Sequence, residues 1–209
     1  MVFALRLNAG VMSADAPNVV PSTAPANVVS ADVMLARRIA RGDSDALGHA
    51  YDAHHDAVRA FGRRLLGSEA AAEDLVHDVF LALPDVAARF EGRATLRTFI
   101  MSIAVNRTRN SRRATARRIG AMERLHQEPR DGAEDPESLS ERRAMAELLS
   151  RLLDELPMDQ RVAIVLCVIE ERTSGEAAQI VGVPEATVRT RLFHARRKLR
   201  EMLEREVRT

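Results

Sequence analysis

Tryptophan is missing from this chain, tyrosine occurs once, and aromatic residues make up 3% of the total. Any task that needs ring stacking must be done with few rings. Cysteine also occurs once, as Cys167. An internal disulfide is excluded and a reducing compartment is compatible. Within Val162-Ala163-Ile164-Val165-Leu166-Cys167-Val168-Ile169 this cysteine reads as a small buried hydrophobe. No apolar run approaches the roughly 18 residues of a membrane span. Met1–Gly10 carries one arginine and a short apolar stretch, without the layout of a signal peptide. Lysine is nearly absent: of 31 basic residues only Lys198 is one. Arginine suits bidentate contacts to phosphate and guanine, although a GC-rich genome favours it as well. The net charge is only +1, so any nucleic-acid footprint is local rather than global. No segment alternates apolar and polar residues as a strand would.

What is present is helical periodicity. Residues 1–30 stand apart as a disordered tail rich in Ala, Val, Pro, Asn and Ser, in which Pro17, Pro21 and Pro25 exclude a continuous helix. Met12 and Met34 are alternative starts. From Ala31, Leu35 and Ile39 give a short helix ended by Gly42. Asp43 caps the next, with Leu47, Tyr51, His54, Val58, Phe61 and Leu65 at spacings of three and four, and Gly67 closes it. Ser68 caps a third helix with Leu75, Val76, Val79, Phe80 and Leu83 on its apolar side, which Pro84 is expected to break. After a loop at Glu91–Ala94, Thr95 caps a fourth helix that continues into basic sequence near Arg118. From Glu123 to Glu141 seven acids face two arginines, and Pro129, Gly132 and Pro136 interrupt any helix. This reads as a linker. Helices resume with Leu148, Leu149, Leu152, Leu153 and Leu156, stop at Pro157 and restart through Val162–Ile169. The expected fold is all-α: two small helical domains, residues 31–118 and 141–209, joined by a flexible acidic linker over 119–140.

Function is concentrated in three places. Residues 173–193 read as a helix-turn-helix, with Thr173 or Ser174 as cap, Gly182 at the turn, Pro184 in the first turn of the second helix, and Val188 and Leu192 facing inward. The rival reading is a plain helical hairpin with a basic surface. Residues 189–200 hold six cations and no acid, and residues 107–118 hold six arginines and no acid. Such runs can follow phosphates, whereas a helix C-terminus explains only one or two cations. The third place is Glu73-Asp74-Leu75-Val76-His77-Asp78-Val79-Phe80-Leu81, in isolation an amphipathic core helix. A metal site from Asp74, His77 and Asp78 is geometrically possible but has no other support. No nucleophile–base pair or phosphate loop appears, so an enzyme is not expected, and no cofactor or metal is called for.

Glu73–Leu81, followed by Arg89-Phe90-Glu91-Gly92, Thr98-Phe99-Ile100, Ile103-Ala104-Val105-Asn106 and Arg112-Arg113, resembles region two of the extracytoplasmic-function (ECF) sigma factors of bacterial RNA polymerase. Leu156-Pro157-Met158-Asp159-Gln160-Arg161 and Gly182–Leu199 resemble region four. The resemblance covers about residues 35–118 and 141–203. It implies a non-catalytic, cytoplasmic protein that binds core polymerase and directs it to a promoter. A stand-alone two-domain regulator is the alternative. By resemblance, Asp74, Leu75, Asp78, Val79 and Phe80 dock on core polymerase. Glu91, Gly92, Arg93, Ala94, Thr95, Phe99 and Asn106 capture bases of the melted minus-ten element, and Arg109, Arg112 and Arg113 hold the adjacent backbone. Glu185, Thr187, Arg189, Thr190, Phe193, His194, Arg196 and Arg197 read the minus-thirty-five element. An anti-sigma partner is a further family expectation. Pro84 and Phe99 stand where tryptophan is usual, His77 where glutamine is common, His194 where arginine is common, and Asn110 where aspartate is frequent.

Overall fold

The structure, a computed structural model, describes residues 26–119 and 148–207, with side-chain surroundings for 30–110 and 148–206. The tail expected before residue 26 and the acidic linker from residue 120 onward lie outside the described residues. Four helices form the N-terminal set: α1 (Ala26–Ala40), α2 (Ser44–Leu66), α3 (Glu69–Ala87) and α4 (Leu96–Ile119). The C-terminal set comprises α5 (148–154), α6 (Met158–Ile164), a π-helical turn (Val165–Ile169), α7 (Ser174–Val181) and α8 (Glu185–Val207). Among the described residues there is no strand.

Most helix ends follow from the sequence. Asp43 accepts a hydrogen bond from the Ala46 amide at 3.0 Å, and Ser68 accepts one from the Ala71 amide at 3.3 Å. The Arg38 guanidinium bonded to Asp43, with the Ala46 amide, holds that carboxyl below its ordinary value. Gly67 ends α2 with φ +69, a left-handed conformation that a residue with a Cβ resists. Two ends differ from expectation. Helix α1 begins at Ala26, five residues before Ala31, so residues 26–30 are helical rather than tail. Pro84 lies inside α3 rather than ending it. Proline removes one amide donor and crowds the preceding turn, but Ala82, Leu83 and Ala87 on either side are all buried, and their packing holds the last turn helical.

Helices α2 and α3 approach closely at Gly62, where an added Cβ would sit 3.1 Å from Ala72. One apolar cluster runs through both sets. Ile39, Phe61, Val79, Leu96 and Ile100 join Val165, Leu166, Ile180 and Val188 in it. A second cluster, within the C-terminal set, holds Leu152, Leu156, Ile164, Ala195 and Leu199. Two halves that read as separate in sequence thus share a core. Cys167 sits half-buried, and burial pushes its thiol up to about 11, which fits the hydrophobe reading.

The start of α4 is held from a distance. Thr95 accepts from the Thr98 amide at 3.2 Å, as its place before Leu96 predicts. The Leu96 amide, however, donates to Asp32 of α1 at 2.7 Å. A carboxylate at a helix N-terminus also meets the favourable end of the dipole. Asp32→Ala should therefore lower global stability by about 1 kcal/mol, measured by denaturant unfolding; an unchanged midpoint would remove Asp32 from the account of this helix end.

Candidate nucleic-acid interface

Helices α7 and α8 form the helix-turn-helix. Thr173 and Glu176 make a capping box: the Thr173 hydroxyl accepts from the Glu176 amide at 3.2 Å and the Glu176 carboxylate accepts from the Thr173 amide at 2.9 Å. The Thr173 amide is the main reason that the Glu176 carboxyl lies below its ordinary value. Gly182 turns the chain at φ +70, and its amide donates to the Ala178 carbonyl at 2.9 Å. Pro184 stands immediately before α8, and its carbonyl accepts from the Thr187 and Val188 amides. Val188, Ala195 and Leu199 face inward.

The outer face of α8 is a continuous stripe. Ala186, Arg189, Thr190, Phe193 and Arg197 are exposed at steps of three and four. Phe193 leaves 62% of its surface exposed, which is unusual for the chain's few aromatics. Arg189 is paired with Glu185, and the Thr190 hydroxyl donates to the Ala186 carbonyl at 3.0 Å. Both are surface contacts that a DNA partner can replace at little cost. Glu185, Thr187 and His194 flank the stripe, partly buried; the His194 ring meets Phe193 edge-on, with centroids 5.5 Å apart. Arg196 lies off the stripe, half-buried with its Nε inside. The neighbouring Arg191 turns inward to Asp159 at 2.8 Å. The stripe thus holds four of the eight residues assigned by resemblance, and adds Ala186.

The N-terminal set places a second group together. Glu91 and Arg93 are exposed and paired at 2.6 Å, with Gly92, Ala94 and Thr95 partly buried beside them. Phe99 packs on Phe90 with centroids 5.3 Å apart and is half-buried. Two turns along α4, Asn106 and Arg107 are exposed. Arg109 points elsewhere, to Asp159 at 2.7 Å and to the Val181 carbonyl at 3.4 Å. The side chains of Arg112 and Arg113 lie outside the described residues. Burial holds the His54 imidazole of α2 below its ordinary value, and Arg97 adds to this.

On α3, Leu75, Val79 and Phe80 are buried, and Tyr51 meets Phe80 edge-on with centroids 4.9 Å apart. The surface that α3 offers is instead Asp74, His77, Asp78 and Leu81, the last 69% exposed. Leu81 was not among the assigned residues. Its signal was available: it falls three and four residues after Asp78 and His77, on the side away from Val79 and Leu83. Among the described residues no cluster of three or more His, Cys, Asp or Glu could hold a metal ion. No helix among them is long and apolar enough to cross a membrane.

Comparison with known families and proteins fits this arrangement. Residues 50–118 match the family model described as Sigma-70 region 2, and residues 146–199 match Sigma-70, region 4. Together these matches span more than half of the chain. The chain is similar to the RNA polymerase sigma factor NccH of Alcaligenes xylosoxydans xylosoxydans, with 29% identity over 179 residues, 84% of this chain and 96% of that protein. It is also similar to the ECF RNA polymerase sigma-E factor of Escherichia coli, with 28% identity over 173 residues, 79% of this chain and 90% of that one. Among solved structures it resembles CnrH in complex with the cytosolic domain of CnrY, with TM-score 0.56 and 25% identity over 83% of this chain and 97% of that one.

Proposed function

The chain belongs to the sigma-70 family and is a sigma factor of the ECF type, and from that premise we propose how its surfaces divide the work. The protein acts in the cytoplasm, without catalysis of its own. The exposed α3 face, Asp74, His77, Asp78 and Leu81, docks on core RNA polymerase. The Glu91–Thr95 loop with Phe99 and Asn106 takes bases unstacked from the minus-ten element. The α8 stripe reads the minus-thirty-five element in the major groove, where an inserted helix can reach base edges. With Phe99 and Phe90 packed on each other and no tryptophan in the chain, hydrogen bonding carries more of base capture than stacking does.

The observation that supports this reading most is the α8 stripe itself. Arginine, threonine and an exposed phenylalanine stand at helical spacing directly after the Gly182 turn; the arginine and threonine are at home on any surface, whereas the phenylalanine is unfavourable in water and useful in a groove. Phe193 suits the methyl of thymine, and Arg189 suits guanine. Against a stand-alone regulator stands the match of residues 50–118, which include α3, to Sigma-70 region 2. A protein partner belongs to the reading too, the anti-sigma factor that the family resemblance implies; the similar CnrH is solved in complex with the cytosolic domain of CnrY. Gel-shift assays on promoter duplex, with and without core polymerase, separate the two readings. Sequence-specific complexes that need core support a sigma factor; tight specific complexes without core, and no association with core, support the stand-alone regulator.

A further inference from the structure

The cations of α8 do not share a face. Arg191 turns inward to Asp159 at 2.8 Å, and Arg196 is half-buried with its Nε inside. Base edges are met by the N-terminal turns of a recognition helix. Over residues 185–192, which form those turns, Arg189 is therefore the one basic side chain on the outer face. It is not free there. Glu185, one turn earlier, accepts a hydrogen bond from the Arg189 Nη2. Glu185 is also the only acid between residues 185 and 200. A carboxylate on a DNA-facing edge is repelled by phosphate and weakens binding to every sequence alike. An acid in the first turn does suit the helix dipole, but that role needs no partner four residues on.

Resting on the function proposed above, we infer that Glu185 is a positioning residue that sets specificity: it holds the Arg189 guanidinium toward a guanine edge and off the phosphates. The donor geometry allows this. A guanidinium carries more N–H donors than one carboxylate oxygen occupies, all in one rigid plane. One Nη2–H goes to Glu185. Whichever hydrogen that is, one two-donor edge of the fork stays free to meet O6 and N7 of guanine. Without the carboxylate, the long arginine side chain swings to the nearest phosphate, where it adds affinity and reads no sequence. The pair lies at the surface and adds little to stability, so its consequence is for the direction of Arg189 and not for folding.

The test uses the full chain with core polymerase, on promoter duplexes randomised across the upstream element, with the bound sequences counted. The base pair whose guanine preference disappears in Arg189→Ala locates the Arg189 contact. At that pair Glu185→Ala should cut the guanine preference by about tenfold. Binding to mismatched duplex should rise, and the slope of log affinity against log salt should steepen by about one. Glu185→Gln keeps an acceptor for Nη2 but loses the charge that suits a helix N-terminus, and should keep most of the preference. In an Arg189→Ala background, Glu185→Ala should change no preference further, because it acts through Arg189. An unchanged guanine preference in Glu185→Ala, or equal losses in Glu185→Ala and Glu185→Gln, would leave Glu185 as helix-end charge alone and overturn the inference. So would a preference that Glu185→Ala removes at another base pair in the Arg189→Ala background, which would make Glu185 a direct reader of cytosine. If Arg189→Ala loses no guanine preference, the positioning role falls while the groove reading of α8 stands. If the parent chain shows no upstream preference at all, both fall.

Discussion

Asp78→Lys combined with Leu81→Glu should weaken association with core RNA polymerase by about thirtyfold or more, with the thermal midpoint nearly unchanged. The expectation comes from exposure. Asp78 and Leu81 project from α3 into solvent, so their replacement removes no packing from the folded chain. An exposed leucine beside two carboxylates is poor protein surface and a good interface anchor, and loss of such an anchor costs about 2 kcal/mol or more. Phe80→Ala should behave differently. Phe80 is 6% exposed, and emptying that site should cost about 3 to 5 kcal/mol of stability. Its effect on polymerase binding should follow from unfolding and should vanish when folded protein is compared at equal concentration. If Asp78→Lys with Leu81→Glu binds core as the parent does, the docking face lies elsewhere.

Recognition of the upstream element should fall by about 10- to 100-fold in Arg189→Ala with Thr190→Ala, while association with core survives. Each good side-chain contact to a base edge contributes about 1 to 3 kcal/mol of discrimination. Both residues are exposed, and in the free chain each makes only a local contact, to Glu185 and to the Ala186 carbonyl respectively. The doubly substituted α8 keeps Val188, Ala195 and Leu199 in its core, and alanine favours the helix. Competition with mutated upstream sequence is the measurement. Equal loss for matched and mismatched elements would mean that Arg189 and Thr190 bind phosphate or support folding and do not read bases.

The helices were largely legible because their ends are written in local chemistry. Asp43, Ser68, Thr95 and Thr173 each cap the helix that follows, and Gly67 and Gly182 each turn left-handed where a helix ends. The misreadings have non-local causes. Pro84 looked like a terminator because its cost is local, while the burial of Leu83 and Ala87 that offsets it comes from the tertiary core. The docking role that the family resemblance gives Leu75, Val79 and Phe80 is a different case: motifs mark positions, not faces, and helical spacing, which is local, puts these three on the buried side of the free chain and leaves Leu81 outside. The inward turn of Arg109 and Arg191 could not be read from a basic run. It depends on Asp159, which is distant in sequence from Arg109 and reaches it only when the two halves pack. For the same reason Arg161, an arginine in a motif, is the most buried charged side chain described.

The measurement that bears most directly on the central claim is run-off transcription by core RNA polymerase on a pool of genomic promoter fragments, with and without this chain. A defined set of start sites should appear only when the chain is present, sharing an upstream and a downstream element, and should be lost with Arg189→Ala plus Thr190→Ala. Transcripts unchanged by the chain, from a preparation shown to be folded, would contradict its role as a promoter-specificity subunit.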